Sequence, residues 1–151
     1  MLFLERLVAA IPTAAEGAHL GVLFCDLDRF KQVNDALGHA AGYELLRQVA
    51  ARLSGVVRPG DTVGRLSGDE FAVILPGLGD PRDARHLGDR VAGCFAEPFR
   101  LDGTEVRVGT SVGVAVHRPG SGGTAEQLLR EADAAMYVHK QGGRRSSPAA
   151  R

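Results

Sequence analysis

The sequence lacks the features that mark a disulfide-rich or a polyanion-binding protein. It has two cysteines in 151 residues, Cys25 in an apolar run and Cys94 on a predicted helix face. This usage indicates reduced thiols in a core and not a disulfide framework. The formal net charge is zero, so no basic excess favours binding to a nucleic-acid polymer or an anionic membrane. A local cluster of Lys and Arg could still hold a small anionic ligand.

Long apolar runs are also absent. No stretch of about 20 apolar residues could cross a bilayer, and Glu5 and Arg6 come too early for a secretory signal. A length of 151 residues with 44% apolar and 24% charged residues suits one globular domain. We expect a cytoplasmic protein without a membrane segment.

Hydrophobic periodicity predicts helices and strands that alternate irregularly. Helices are predicted at 2–10, at 30–37, after Gly38, from Asp80-Pro81, and after Thr124, which forms a capping box with Gln127. The last helix is predicted to bury Leu128, Ala132, Ala135, Met136 and His139. Strands are predicted at 20–25, 62–66, 71–75, 99–101 and 105–116. This order favours an α+β sheet with helices packed on it over a Rossmann fold.

Carboxylates follow the first predicted strand directly. The apolar run ends at Asp26-Leu27-Asp28, and the next helix begins near Phe30-Lys31. A strand that ends in carboxylates beside a helix start offers oxygen ligands for Mg²⁺ and free backbone N–H groups for phosphate. Helix capping would account for Asp28 or Asp26, but not for an aspartate that closes an apolar strand. For this segment alone both interpretations stay open.

A second acidic segment, Ser67-Gly68-Asp69-Glu70-Phe71, forms the predicted tip of a hairpin. Ser-Gly-Asp is ordinary turn chemistry, but two acids that lead into an apolar strand are less usual. If that strand lies beside 20–26, Asp69 can approach Asp26. The two carboxylates would then repel each other unless a cation lies between them.

Together these motifs resemble a GGDEF domain with serine in the first position of its signature. The matching segments are Asp26-x-Asp28-x-Phe30-Lys31-x-x-Asn34-Asp35, then Gly38-His39, then 67–71. The resemblance continues through 132–137 to Lys140 and Arg144, in the same order and spacing. It covers 1–142 as one domain and leaves 143–151 as a flexible tail.

The resemblance implies a nucleotidyl-cyclase or polymerase-palm fold, a ferredoxin-like central antiparallel sheet flanked by helices. Active members of the family are bacterial signalling enzymes that condense two GTP molecules into cyclic di-GMP and release pyrophosphate. Each protomer binds one GTP, so catalysis requires a homodimer. The family opens with an Asp-x-Leu-Thr-x-Leu-x-Asn-Arg segment, so we expect this chain to be N-terminally truncated relative to it.

The resemblance also assigns metal ligands. Asp26, Asp69 and the Leu27 carbonyl would hold two Mg²⁺ or Mn²⁺ ions, and Glu70 would act as a ligand or as the base for the attacking 3′-hydroxyl. Phosphoryl transfer depends on positioning and charge neutralisation, and two metals can supply both.

Five further residues match the family's nucleotide-binding positions. Backbone N–H groups of Phe30 and Lys31 would face phosphate, Lys140 and Arg144 would pair with the β- and γ-phosphates, and Asn34 would contact the guanine edge. Standing alone, Lys140 and Arg144 would be an ordinary cationic helix end.

Arg58-x-x-Asp61 matches the family's inhibitory site, where the cyclic di-GMP product binds. A turn would form at Pro59-Gly60 in any case. Its position before the Ser67 segment favours the binding interpretation.

Tyr43 departs from the family, which has an aspartate after Gly42. That aspartate accepts hydrogen bonds from the ring N–H and the amino group of guanine, and a tyrosine hydroxyl cannot copy a bidentate carboxylate. Unpaired guanine donors would cost about 1–3 kcal/mol. Alternatively, Tyr43 packs on the helix face and a neighbour takes over.

Three functions are compatible with these residues. The leading hypothesis is a diguanylate cyclase with activity weakened by Tyr43. The first alternative is a degenerate GGDEF domain that binds GTP or cyclic di-GMP as a regulatory module without turnover. The second is another nucleotidyl transferase of palm type. Intact Asp26, Asp69 and Glu70 favour an enzyme, and Tyr43 favours the binding module.

Overall fold

The computed structural model describes residues 2–14 and 17–146, with side chains for 2–11 and 17–142. In chain order the helices are α1 (Leu2–Ala14), α2 (Phe30–Leu37), α3 (His39–Val56), α4 (Arg82–Gly93) and α5 (Ala125–Ser146). The strands are β1 (His19–Leu27), β2 (Thr62–Ser67), β3 (Glu70–Leu78), β4 (Phe99–Leu101), β5 (Thr104–Val106) and β6 (Thr110–His117).

Four strands form one antiparallel sheet in the order β2-β3-β1-β6. β4 and β5 pair in a separate two-stranded sheet. The predicted α+β fold with an antiparallel sheet flanked by helices is confirmed. β1 lies inside the sheet and is buried along almost its whole length, which explains why it is a continuous apolar run and not an alternating one.

Helices cover both faces of the sheet. Alternate residues of β1 point to opposite sides, and each set packs against different helices. Leu23 and Cys25 pack with α3 and α4 in one cluster, whereas Val22 and Phe24 pack with α1 and α5 in the other. Both cysteines are free thiols, and burial raises the pKa of Cys25 to about 12. No helix of the described residues is long and apolar enough to cross a membrane.

α5 packs directly against β6 at Gly113. A Cβ at this position would overlap the backbone of Ala132 and Met136 in α5, so only glycine permits the approach. Thr124 and Gln127 begin α5 with the predicted capping box: Thr124 N–H donates to Gln127 Oε1 at 2.9 Å, and Gln127 N–H donates to Thr124 Oγ1 at 3.1 Å. The cap and the close contact fix the direction of the helix across the sheet.

Two arginines join α3 to α4. Arg52 of α3 donates to the carbonyls of Cys94 and Glu97, both at 2.7 Å, and of Pro98 at 2.8 Å. Its guanidinium lies 3.7 Å from the centre of the Phe99 ring. Arg90 of α4 donates to the carbonyl of Val56, the last residue of α3. Each helix therefore satisfies backbone acceptors at or just beyond the end of the other.

The structure differs from the predicted elements in several places. His139 is exposed and not buried, because it lies over β6, an edge strand, where its Nδ1 accepts a hydrogen bond from Val112 N–H at 2.8 Å. The predicted strand 105–116 is divided into β5 and β6, since each belongs to a different sheet. α4 begins at Arg82, whose N–H donates to Asp80 Oδ1 at 2.8 Å. α5 continues to Ser146, beyond the predicted end of the domain at residue 142.

Candidate functional site

The candidate site lies at the edge of the sheet where β1 ends and β3 begins. In the strand register Asp26 is opposite Glu70 of β3 and opposite Ser111 of β6. Leu27 N–H donates to the Asp69 carbonyl at 3.0 Å, which ties the β2–β3 tip to the end of β1. The antiparallel pairing therefore brings the two acidic segments together.

Asp26 and Asp69 lie close enough for their carboxyl groups to interact electrostatically. Burial, followed by the negative charge of Asp26, raises the pKa of Asp69 above its ordinary value. The Asp26 side chain is largely buried, and Lys140 Nζ of α5 lies 2.6 Å from its Oδ2. Asp26 Oδ1 is buried without a hydrogen-bond partner among the described residues.

This arrangement fits a divalent cation. A buried carboxylate oxygen without a partner and a second carboxylate under like-charge repulsion are groups that a hard cation would stabilise. Among the described residues no group of three or more His, Cys, Asp or Glu side chains is arranged to hold a metal ion. Glu70 accepts a hydrogen bond from Ser67 Oγ at 3.0 Å.

The turn between β1 and α2 presents uncapped backbone donors. Arg29 has φ 67° and ψ 20°, a left-handed conformation, and no side chain caps the first turn of α2. The N–H groups of Phe30 and Lys31 therefore lack a side-chain acceptor, as an anion-binding helix start requires. Asp28 accepts from Ser111 Oγ at 3.3 Å. Neither Asp26 nor Asp28 caps α2, which excludes the capping interpretation.

Gly42 and Tyr43 are neighbours in α3, and the side chain of Asn34 in α2 lies against Gly42. A Cβ at Gly42 would overlap the amide of Asn34, so glycine allows this half-buried side chain to lie against α3. The Tyr43 side chain does not pack into the core, because it is 72% exposed. It borders a cleft of about 380 Å³ between α3 and β2 that Arg47 and Arg65 also line. The sequence did not indicate this cleft, since its walls come from segments far apart in the chain.

Of the remaining residues predicted to contact phosphate, Lys140 has its side chain at the site, whereas Lys31 does not. Lys140 reaches the site, where it pairs with Asp26. The ammonium of Lys31 instead pairs with Asp35 at 3.0 Å, with both side chains exposed, so only the backbone of Lys31 faces the turn. The side chain of Arg144 lies outside the described residues.

Arg58 and Asp61 form a bidentate ion pair, with Nη2–Oδ1 at 2.9 Å and Nε–Oδ2 at 3.2 Å. Arg58 Nη2 also donates to the Pro76 carbonyl at 2.8 Å. The Arg58 side chain is 45% exposed, whereas Asp61 is 1% exposed. The arginine is thus the surface group, and the aspartate holds it in place.

Comparison with known proteins agrees with this geometry. The family model described as diguanylate cyclase, GGDEF domain, matches residues 1–146. Diguanylate cyclase TpbB of Pseudomonas aeruginosa strain UCBPP-PA14 is 43% identical over 146 residues, which are 95% of this chain and 33% of that protein. The bifunctional diguanylate cyclase/cyclic di-GMP phosphodiesterase MucR of the same species is 43% identical over 145 residues, 95% of this chain and 21% of that protein. The chain thus spans a third or less of the length of these curated relatives.

Solved structures give the same result. The crystal structure of the GGDEF domain of TpbB (YfiN) superposes with a TM-score of 0.88 at 43% identity, covering 93% of this chain and 88% of that one. The GGDEF domain of DgcB from Caulobacter crescentus in complex with c-di-GMP gives 0.82 at 30% identity, covering 93% and 81%. The chain belongs to the GGDEF domain family of diguanylate cyclases.

Proposed function

We propose that this chain is a metal-dependent diguanylate cyclase domain that converts two GTP molecules into cyclic di-GMP and two pyrophosphates. The observation that carries the proposal is the convergence of Asp26, Asp69 and Lys140 at one edge of the sheet. Two carboxylates and an ammonium group lie there beside a helix start with uncapped N–H groups. Carboxylates can bind metal ions, and the ammonium and N–H groups can bind the phosphates of a nucleoside triphosphate.

The metal ligands would be Asp26, Asp69, the Leu27 carbonyl and Glu70. Two bound Mg²⁺ or Mn²⁺ ions would neutralise charge on the phosphates and on the attacking oxygen. If Glu70 is not a ligand, it would instead accept the proton of the 3′-hydroxyl as that oxygen attacks the α-phosphorus of the second GTP. Ser67, which hydrogen-bonds Glu70, holds this carboxylate at the hairpin tip.

The triphosphate is bound by backbone and cationic groups. The uncapped N–H groups of Phe30 and Lys31 face the phosphates, and Lys140 and Arg144 pair with the β- and γ-phosphates. Their positive charge also stabilises the pyrophosphate that leaves.

The base lies toward Asn34 and Tyr43. The cleft beside Tyr43 has apolar walls and two arginines, which suits a planar base better than a second phosphate. With Tyr43 in place of a carboxylate, guanine loses its main acceptor, so we expect weak selection against adenine.

Catalysis requires two protomers, because each one binds a single GTP. The 3′-oxygen of each GTP attacks the α-phosphorus of the GTP bound to the other protomer. A face-to-face homodimer with two-fold symmetry satisfies this requirement. Cyclic di-GMP then binds the same domain at Arg58, whose guanidinium Asp61 holds at the surface. A relative of this fold, DgcB, is in complex with c-di-GMP, which supports product binding.

The test is incubation of the purified chain, dimerised by a fused coiled coil, with GTP and Mg²⁺. We expect cyclic di-GMP and pyrophosphate from the wild type and from Asp83→Asn, a surface carboxylate of α4, but not from Asp69→Asn. A wild type that binds GTP without producing cyclic di-GMP would support the alternative, a degenerate module that binds GTP or cyclic di-GMP without turnover. Tyr43 is the observation that favours that alternative.

A further inference from the structure

The ion pair between Lys140 and Asp26 joins the last helix to the centre of the sheet. Lys140 Nζ lies 2.6 Å from Asp26 Oδ2, and the two side chains are 29% and 12% exposed. The contact spans 114 residues of sequence. Since Gly113 allows α5 to lie directly on β6, the position of Lys140 is set by the packing of the helix and not only by its own rotamer.

A divalent cation bound to Asp26, at the unpartnered Oδ1 or at Oδ2, would lie beside the Lys140 ammonium. A Mg²⁺ ion would lie about 2.0–2.1 Å from its oxygen ligands, and at that distance from Asp26 it would repel the adjacent ammonium. Asp69 and Glu70 add negative charge at the same edge, and Ser67 binds Glu70. Lys140 is therefore the group that balances Asp26 in the ligand-free chain.

We propose that Lys140 is the resident counter-ion of Asp26 and that a divalent cation must displace its ammonium before it can bind there. The inference rests on the proposed function, in which the released ammonium pairs with the nucleotide phosphates. Lys140 then weakens metal binding while the chain is free of nucleotide and strengthens it when phosphate is present. Metal and nucleotide consequently bind with positive coupling, and the coupling is the same in both directions.

The first test measures Mn²⁺ binding to the nucleotide-free chain by electron paramagnetic resonance of the free ion. Lys140→Gln is expected to tighten binding about tenfold, because it removes a like charge beside the metal. Lys140→Arg keeps the charge and is expected to bind as weakly as the wild type. Arg118→Gln, which removes an exposed positive charge after the far end of β6, controls for net charge. Adding Asp26→Asn to Lys140→Gln should abolish the gain.

A second test uses the unaltered protein, whose only lysines are Lys31 and Lys140. With lysine labelled by ¹⁵N, titration of Mg²⁺ without nucleotide should move the Lys140 ammonium resonance as metal binds. The Lys31 resonance, from an exposed group paired with Asp35, is the internal reference.

Two results would overturn the inference. One is an Mn²⁺ affinity of Lys140→Gln equal to or below that of the wild type, including no binding by either. The other is Mg²⁺ binding that leaves the Lys140 resonance unmoved. Neither test contains GTP, so a chain without cyclase activity can still pass, and an active cyclase can still fail.

Discussion

Replacing Tyr43 with aspartate should strengthen GTP binding and make it more selective for guanine. The substitution changes no core packing, because the Tyr43 side chain is 72% exposed at the start of α3. Gly42 and Asn34 beside it are already in contact, so the new carboxylate would join the Asn34 amide, which we propose contacts the base.

The size of the effect follows from the hydrogen bonds gained. A carboxylate can accept both the ring N–H and the amino group of guanine, and hydrogen bonds to charged groups contribute about 1.5–3 kcal/mol. We therefore expect Tyr43→Asp to tighten GTP binding roughly ten- to a hundredfold. ATP binding should weaken or stay the same, since adenine presents an acceptor where guanine presents the ring donor.

The assay compares wild type, Tyr43→Asp and Tyr43→Phe with GTP and with ATP, each dimerised by a fused coiled coil. Tyr43→Phe keeps the ring and removes the hydroxyl, so it separates stacking from hydrogen bonding. A wild type that is already fast and selective for GTP would refute the reasoning, because guanine would then be recognised by another group. An inactive Tyr43→Asp dimer would place the defect elsewhere than at residue 43.

Three further predictions concern other parts of the domain. Arg58→Ala should weaken cyclic di-GMP binding by roughly ten- to a hundredfold in titration calorimetry, since charge-assisted contacts to phosphate are lost; an unchanged affinity would leave Arg58-x-x-Asp61 as a turn only. Asp69→Asn should raise the free energy of unfolding of the ligand-free chain at neutral pH. Burial and the charge of Asp26 raise the pKa of Asp69, so the wild type loses stability as pH rises through that pKa. The stability gained by Asp69→Asn should therefore vanish below about pH 3.8, where Asp69 is protonated in the folded and the unfolded chain. A gain that persists at that pH would contradict the explanation by burial and by Asp26. Arg52→Ala should lower the free energy of unfolding by about 2–3 kcal/mol in urea titrations, because three carbonyls lose their donor, and a loss below about 0.5 kcal/mol would show that water replaces the guanidinium.

Local chemistry made several features predictable. An apolar run that ends in Asp26 indicated a buried strand, and Thr124 with Gln127 indicated the start of a helix, because both signals lie within a few residues. The predicted burial of His139 is wrong. Helical spacing identifies which residues share a helix face, but not whether that face extends beyond the edge strand of the sheet beneath it.

Three long-range contacts could not be obtained from the sequence. The contact of Lys140 with Asp26 depends on how α5 crosses the sheet, and the cleft beside Tyr43 depends on where β2 lies relative to α3. The placement of the Arg58 guanidinium over Asp61 likewise depends on the carbonyl of Pro76, which comes from β3. A motif names residue types and spacing, whereas these contacts follow from the packing of distant segments.

The close approach of α5 to β6 at Gly113 also bears on the order in which the site is completed. Chains emerge from the ribosome from the N-terminus and begin to fold as they do, so both acidic segments are made long before the helix that carries Lys140. A nascent chain that ends before α5 has Asp26 and Asp69 but lacks Lys140, and only α1 covers one face of its sheet. Docking of α5 through Gly113 completes the cover of that face and brings the Lys140 ammonium to Asp26 in the same event.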